Sequence, residues 1–183
     1  ISSGLVGSEM CIRDRPWMEI GKGSLTGGIW GSFPTTANGG GNELDLWISY
    51  DFGGFALTVT NYTFPTIDGT YGTGNPGLLD GDWTEISGST SLGGLDFMVG
   101  YFTDAEALYV EAGFSARAID IGVGFGSDGK DSFYASGDSG IVNLSFGGSK
   151  EIKITEEYSL PVFSSFVYNP SAEAAFLVFG LSF

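Results

Sequence analysis

Strict alternation of apolar and polar residues is the feature that most limits what this chain can fold into. In the segment ELDLWISYDF, one set of alternate positions holds Leu44, Leu46, Ile48, Tyr50 and Phe52, and the other holds Glu43, Asp45, Trp47, Ser49 and Asp51. Side chains of a β-strand point alternately to opposite faces, so this period indicates a strand with one apolar and one polar face. No apolar run approaches the roughly 18 residues that a transmembrane helix needs.

The same period recurs and predicts an all-β fold with about ten strands. The predicted spans are 20–33, 43–52, 55–65, 82–92, 95–102, 107–116, 119–126, 140–149, 158–169 and 174–183. Minimal turns at Gly53-Gly54, Gly93-Gly94 and Arg117 alternate with longer polar loops such as PTTANGGGN and TIDGTYGTGNPGLLDGD. Outer-membrane barrels have short turns at one end and long loops at the other. The pattern therefore predicts an up-and-down antiparallel transmembrane β-barrel.

Residues 1–15 differ in character from the rest of the chain. They hold Cys11, the only cysteine, and two of the seven Lys and Arg residues. Written as codons, GLVGSEMCIRDR matches in frame a transposase adapter used in DNA-sequencing libraries, so we interpret residues 1–15 as translated adapter and exclude them from fold reasoning. Residues 16–183 are then a barrel domain that is truncated at its N-terminus.

Composition excludes several classes of function. The chain carries a net charge of −15 and has no histidine, and residues 16–183 have no cysteine. So few cations argue against nucleic-acid binding. Without histidine or cysteine, Ser-His-Asp and Cys-His catalytic sites and thiolate or imidazole metal sites cannot form. The sequence therefore predicts no enzyme activity, no cofactor and no metal site, and we interpret the loop aspartates as turn residues.

The C-terminal strand resembles the signal that the outer-membrane assembly machinery recognises. AFLVFGLSF ends on phenylalanine, and its alternate apolar residues are Leu177, Phe179, Leu181 and Phe183. If Phe183 lies at the periplasmic end, the long loops are extracellular. Ten strands counted back from that end start at the periplasmic side, which predicts that any missing N-terminal strands are even in number.

The chain resembles the TorF family of Gram-negative porins over residues 16–183. The resemblance rests on LTGGIWGSF, NELDLWISYDF with its Gly-Gly turn, LTVTNYTFP, ALYVEAGF, GGSKEIKI, YSLPVFSSFVYNP and AFLVFGLSF. It implies an outer-membrane location and a barrel of twelve strands, of which two would be missing here. The family has no established functional residues, so none are assigned from it.

The polar strand faces predict the lining of a pore. With the aliphatic faces toward lipid, Leu44, Leu46, Ile48, Val99, Leu108, Val110, Ile121 and Val123 face outward. The predicted pore-lining residues are Glu43, Asp45, Trp47, Glu85, Asp96, Tyr109, Glu111 and Asp120. Rings of carboxylates favour cations in a pore. We therefore expect a channel for passive diffusion of small cationic or neutral solutes, whose other partners are outer-membrane lipid and the assembly machinery.

Two alternatives remain open at this point. One is a non-conducting outer-membrane barrel that acts as an adhesin or surface scaffold through its long loops. The other is a soluble β-sandwich or barrel, which requires polar residues on the outer strand faces. Conductance separates the first alternative from a porin, and membrane fractionation separates the second.

Overall fold

A computed structural model of the chain describes residues 13–14, 16–34, 42–64, 83–130, 133–134 and 138–181. These residues form strands joined by turns and loops, with no α-helix among them. Within the same part of the chain, no helix is long and apolar enough to cross a membrane. The described chain divides into two compact units.

The N-terminal unit extends to Thr90 and also includes Gly100–Ala107. Its strands are β1 (Arg13–Asp14), β2 (Trp17–Lys22), β3 (Leu25–Pro34), β4 (Glu43–Asp51), β5 (Ala56–Thr63) and most of β6 (Trp83–Leu92). β3 pairs with β4, β4 with β5 and β5 with β6, all antiparallel. The other edge of β3 pairs with β2 and, at its end, with β1.

The C-terminal unit consists of Ser91–Val99 and the chain from Leu108 onward. It contains the first part of β7 (Leu95–Phe102) and nearly all of β8 (Ala107–Ala116), followed by β9 (Ile119–Gly126), β10 (Gly140–Lys153), β11 (Ser159–Asn169) and β12 (Ala174–Leu181). The pairs β8–β9, β9–β10, β10–β11 and β11–β12 are antiparallel. From β3 to β12, strand order in the sheet follows chain order. The predicted all-β, up-and-down antiparallel class is therefore confirmed.

The first predicted strand is wrong as a single element. The span 20–33 divides into β2 and β3 because the chain reverses at Gly23, whose φ of 64° an L-residue adopts only with strain. From residue 16 to residue 181 the described chain therefore has eleven strands, β2 to β12, instead of ten. The inference that an even number of strands is missing no longer holds, because it depended on a count of ten.

Alternation of the connections agrees with the sequence pattern. The two-residue turns 23–24, 93–94 and 117–118 belong to one set of alternate connections, and the two longest connections, 64–82 and 127–139, belong to the other. Consecutive strands run in opposite directions, so each connection of one set comes after a strand of one direction and each connection of the other set comes after a strand of the opposite direction.

The interpretation of residues 1–15 as adapter concerns residues that are mostly outside the described chain. Arg13 and Asp14 are the exception, since they form β1 and pair with Pro34 and Phe33 at the end of β3. Residues 1–12 and 15 lie outside the described residues. The interpretation stays a prediction.

The described residues bury five polar side chains alongside five apolar ones and expose many large apolar side chains. The buried side chains include Ser32, Asp45, Thr60, Thr63 and Glu85. Of the eight residues predicted to face outward, six are exposed, namely Ile48, Val99, Leu108, Val110, Ile121 and Val123. Leu44 and Leu46 are half-buried instead. Leu46 lies directly between Ile29 and Asn61 on the neighbouring strands, and such cross-strand neighbours cover part of a side chain.

A β-bulge changes the expected orientation of one residue in β10. Sequence alternation groups Val142 with Leu144 and Phe146, opposite to Asn143. In the structure the register shifts between Ile141 and Asn143, and Val142 is buried. An extra residue in one strand interrupts the period of two, so Val142 joins the interior cluster with Tyr109.

Candidate functional site: an acidic and aromatic sheet face

One face of the N-terminal unit collects acidic and aromatic side chains from five strands. One line of directly paired residues crosses β2 to β6: Trp17 pairs with Trp30, Trp30 with Asp45, Asp45 with Tyr62 and Tyr62 with Trp83. Directly opposed residues share a face, and so do residues two apart on one strand. The acidic–aromatic face is therefore Trp17, Glu19, Trp30, Glu43, Asp45, Trp47, Tyr62, Trp83 and Glu85. It includes all four tryptophans of the sequence.

Asp45 and Glu85 are the buried carboxylates of this face. Asp45 is 8% exposed and Glu85 is 3% exposed. Asp45 Oδ1 and Glu85 Oε2 are buried and have no hydrogen-bond partner among the described residues. A buried polar atom without a partner is costly, and a buried charge without a partner is costlier still. The burial of two such groups on one face is therefore the feature of the sheet that most requires a functional explanation.

No Lys or Arg of residues 16–183 is buried with these carboxylates. Residues 16–183 contain five Lys and Arg residues, and all five are described and exposed: Lys22, Arg117, Lys130, Lys150 and Lys153. They lie at strand ends, in turns or in the β9–β10 connection. All five of these positive side chains are exposed, so none of them is buried beside the carboxylates of the acidic–aromatic face.

Close contacts with glycines of adjacent strands position two side chains of the face. A β-carbon at Gly28 would lie 2.6 Å from the indole of Trp47 and 2.8 Å from the carbonyl oxygen of Met18. A β-carbon at Gly100 would lie 2.8 Å from Glu85 Oε2. Trp47 and Glu85 therefore lie against the backbone of the neighbouring strand, which is possible only because glycine leaves that surface bare.

The variant Gly28→Ala is expected to destabilise the sheet by about 1–3 kcal/mol, the usual cost of an overpacked site. Its β-carbon would contact a backbone carbonyl, which cannot rotate away as a flexible side chain can. The matched control is Gly88→Ala in β6, where the nearest atom to a new β-carbon is 3.9 Å away. Denaturant titration of the folded fraction measures both, and equal stabilities of the two variants would contradict the contact.

A second polar cluster lies in the C-terminal unit. The Tyr109 hydroxyl donates a hydrogen bond to Glu111 Oε2, and Asn143 Nδ2 donates to the same oxygen at 3.0 Å. Asn143 Nδ2 also lies 3.3 Å from the Tyr109 hydroxyl oxygen. Tyr109 is buried, and the ring of Tyr134 packs 5.4 Å from its ring, centroid to centroid. Glu111 Oε2 therefore accepts two hydrogen bonds from the chain, whereas Asp45 Oδ1 and Glu85 Oε2 accept none among the described residues.

The structure separates the predicted pore-lining residues into three groups. Asp45, Glu85 and Tyr109 are buried, and Glu43, Trp47 and Glu111 are half-buried. Asp96 and Asp120 are exposed, and their assignment to a pore lining stays a prediction. Each is the second residue after a tight turn and lies near the start of its strand, where solvent reaches the side chain. Asp96 Oδ1 also accepts a hydrogen bond of 2.5 Å from Ser91 Oγ.

The predicted assembly signal is only partly within the described residues. Leu177, Phe179 and Leu181 are exposed on one face of β12, whose residues alternate between half-buried and exposed. Phe183 lies outside the described residues. Recognition of this strand by an assembly machinery stays a prediction.

Sequence reasoning missed five members of the face: Trp17, Glu19, Trp30, Tyr62 and Trp83. The signal for Tyr62 is the Gly53-Gly54 turn: with that turn at the centre of the hairpin, Asp51 pairs with Ala56 and Asp45 with Tyr62. Trp83 follows a long connection, and no turn in the sequence determines its register. Only the pairing of β5 with β6 places it opposite Tyr62.

Neither a search for metal-ligating groups nor comparison with known proteins assigns a further role to these residues. The described residues contain no group of three or more His, Cys, Asp or Glu that could hold a metal ion. No protein-family model, curated protein or solved structure matches this chain.

Proposed function

We propose that the chain forms a Gram-negative outer-membrane β-barrel of the TorF type, which passes small cationic or neutral solutes by passive diffusion. The observation that carries this proposal is the exposure of aliphatic side chains along the strands together with the burial of two carboxylates. Aliphatic side chains are exposed in the middle of β4, β7 and β9, and the carboxylates of Asp45 on β4 and Glu85 on β6 are buried. A water-soluble sheet does the reverse.

Closure of the sheet is part of the proposal. In lipid every backbone N–H and C=O needs a partner, so only helices and closed barrels span a membrane. The strands from β3 onward have eight to fourteen residues. This range includes the roughly 9–11 residues of a tilted membrane crossing. In a closed outer-membrane barrel, lipid therefore covers the exposed apolar side chains, and the backbone N–H and C=O groups of the edge strands find hydrogen-bond partners.

Cation preference follows from the charges of the buried face. Asp45 and Glu85 are buried on it, no Lys or Arg of residues 16–183 is buried with them, and Glu43 is two residues from Asp45. Negative charge within low-dielectric walls attracts cations and repels anions. The proposed role is transport and not catalysis.

A reversal-potential measurement in planar bilayers under a KCl gradient tests the proposal. The refolded chain is expected to pass K⁺ better than Cl⁻, and the preference is expected to weaken as salt rises, because mobile ions screen the carboxylates. A salt series provides the internal control. Anion preference, or no conductance at any protein load, would contradict the porin function.

A non-conducting barrel that acts as an adhesin or surface scaffold is the second candidate. It is favoured by the tight burial of Phe102, Tyr109 and Glu85, each at most 4% exposed, since a filled interior admits no solute. The two candidates give different combinations of results: the scaffold fractionates with outer membranes but conducts no ions. A chain found in the soluble fraction would contradict both.

A further inference from the structure

The strongest unexplained feature is a pair of buried carboxylates that have no buried Lys or Arg of residues 16–183 beside them. Asp45 and Glu85 are each more than nine-tenths buried, and one oxygen of each lacks a hydrogen-bond partner among the described residues. All five Lys and Arg residues of residues 16–183 are exposed. A cation from solution is the simplest group that can balance charges placed in this way.

Aromatic residues neighbour these carboxylates in the strand register. Tyr62 lies directly opposite Asp45, and Trp83 lies directly opposite Tyr62. The ring of Phe102 packs 5.3 Å from the ring of Tyr62, centroid to centroid. Glu85 lies opposite Thr60, one step diagonally from Tyr62 on the same face. Ring faces attract cations through their quadrupole, most strongly where water is excluded.

The kind of cation is restricted by the ligands present. Ca²⁺ takes six to eight oxygen ligands and Mg²⁺ keeps an octahedral shell. Yet no group of three or more metal-ligating side chains occurs among the described residues. An organic ammonium ion has different needs: one carboxylate to balance its charge and ring faces to cover its carbon atoms. The acidic–aromatic face supplies both.

We propose that the acidic–aromatic face binds organic ammonium ions, with Asp45 and Glu85 as countercharges and Tyr62 and Trp83 as the ring contacts. The inference rests on the proposed porin function and deepens it, because it names the solute class that the interior favours over inorganic cations. Binding itself does not require conduction, so the two can be tested separately.

Tryptophan fluorescence of the full chain in detergent micelles tests the inference with tetramethylammonium chloride as the probe. All four tryptophans lie on the acidic–aromatic face, so binding is expected to give a saturable change in emission. KCl and MgCl₂ at matched ionic strength are expected to give only a weak, non-saturating change. An equal response to K⁺, stronger binding of Mg²⁺, or no response to tetramethylammonium would each overturn the inference.

Substitutions assign the site. The double variant Asp45→Asn, Glu85→Gln is expected to weaken tetramethylammonium binding at least tenfold. The single variant Asp45→Asn is expected to retain part of the binding, and it provides a test if the double variant does not fold. Tyr62→Leu is expected to weaken tetramethylammonium binding and leave the response to K⁺ unchanged. The matched control removes two exposed carboxylates, Asp96→Asn with Asp120→Asn, and is expected to bind as the wild type does. Equal loss in the control would overturn the assignment to this face.

Bilayer conductance separates failure of the inference from failure of the proposed function. Cation-selective conductance without saturable tetramethylammonium binding would refute the inference and leave the porin function standing. Saturable binding without conductance would refute the porin function and leave a barrel that binds organic ammonium ions. Circular dichroism of each variant in micelles confirms that strand content is retained.

Discussion

Arginine in place of Val123 is expected to lower the free energy of unfolding in lipid by about 2–4 kcal/mol, the cost of a cation on the lipid face at the bilayer midplane. Val123 is 40% exposed in the middle of β9 and lies directly between Ala112 and Leu144. If lipid covers this face, a guanidinium there loses its hydration and finds no partner among apolar neighbours. The measurement is the folded fraction in lipid vesicles across a denaturant titration.

The same strand provides a matched control. Ile119 is the first residue of β9, follows the 117–118 turn and is exposed, four residues from Val123 and therefore on the same face. Ile119→Arg is expected to cost about 0–1 kcal/mol, because charges near a bilayer interface reach water. On a face in contact with water, both variants would change stability by no more than about 0.5 kcal/mol. That outcome would contradict the membrane assignment and favour a soluble β-domain.

Neutralising three interior carboxylates together is expected to reduce the K⁺/Cl⁻ permeability ratio by roughly threefold or more and leave membrane insertion intact. The variants are Asp45→Asn, Glu85→Gln and Glu111→Gln. Each preserves shape, and a glutamine at position 111 retains an oxygen that accepts the hydrogen bonds from Tyr109 and Asn143. The reversal potential under a KCl gradient measures the ratio.

The control for this prediction makes an equal change in net charge at exposed positions. Asp96→Asn, Asp120→Asn and Glu151→Gln remove three exposed carboxylates. Exposed charges are screened by salt, so their loss is expected to change selectivity less than loss of the buried set does. If the control lowered selectivity as much, the preference would come from the overall charge of the chain and not from the interior face.

Alternation in the sequence predicted much of the fold for a simple reason: an uninterrupted strand has a period of two. β4 and β9 illustrate this, with Ile48 and Val123 exposed and Asp45 buried as their positions require. Prediction failed where the backbone departs from that period. Gly23 reverses the chain inside a span taken as one strand, and the bulge at Val142 turns an aliphatic residue into the interior.

The candidate site was only partly predictable. Alternation in the sequence predicts which face of a strand a side chain occupies, but the burial of that side chain depends on the neighbouring strands. Asp96 and Asp45 have the same alternation in the sequence, yet Asp96 is exposed next to a turn and Asp45 is buried. The difference is position along the strand. A residue near a turn has solvent beyond the end of the strand, whereas a residue inside a paired strand has neighbours on both sides.

By itself, the sequence determined the all-β class, the two-faced strands and the separation of carboxylates from cations, because composition and a period of two need no long-range information. The tertiary structure alone decided which residues from different strands meet. Register across a long connection is not encoded locally, so only the folded sheet places Trp83 opposite Tyr62 and Glu85 against Gly100. The acidic–aromatic face is therefore a product of strand pairing, although each of its residues is visible in the sequence.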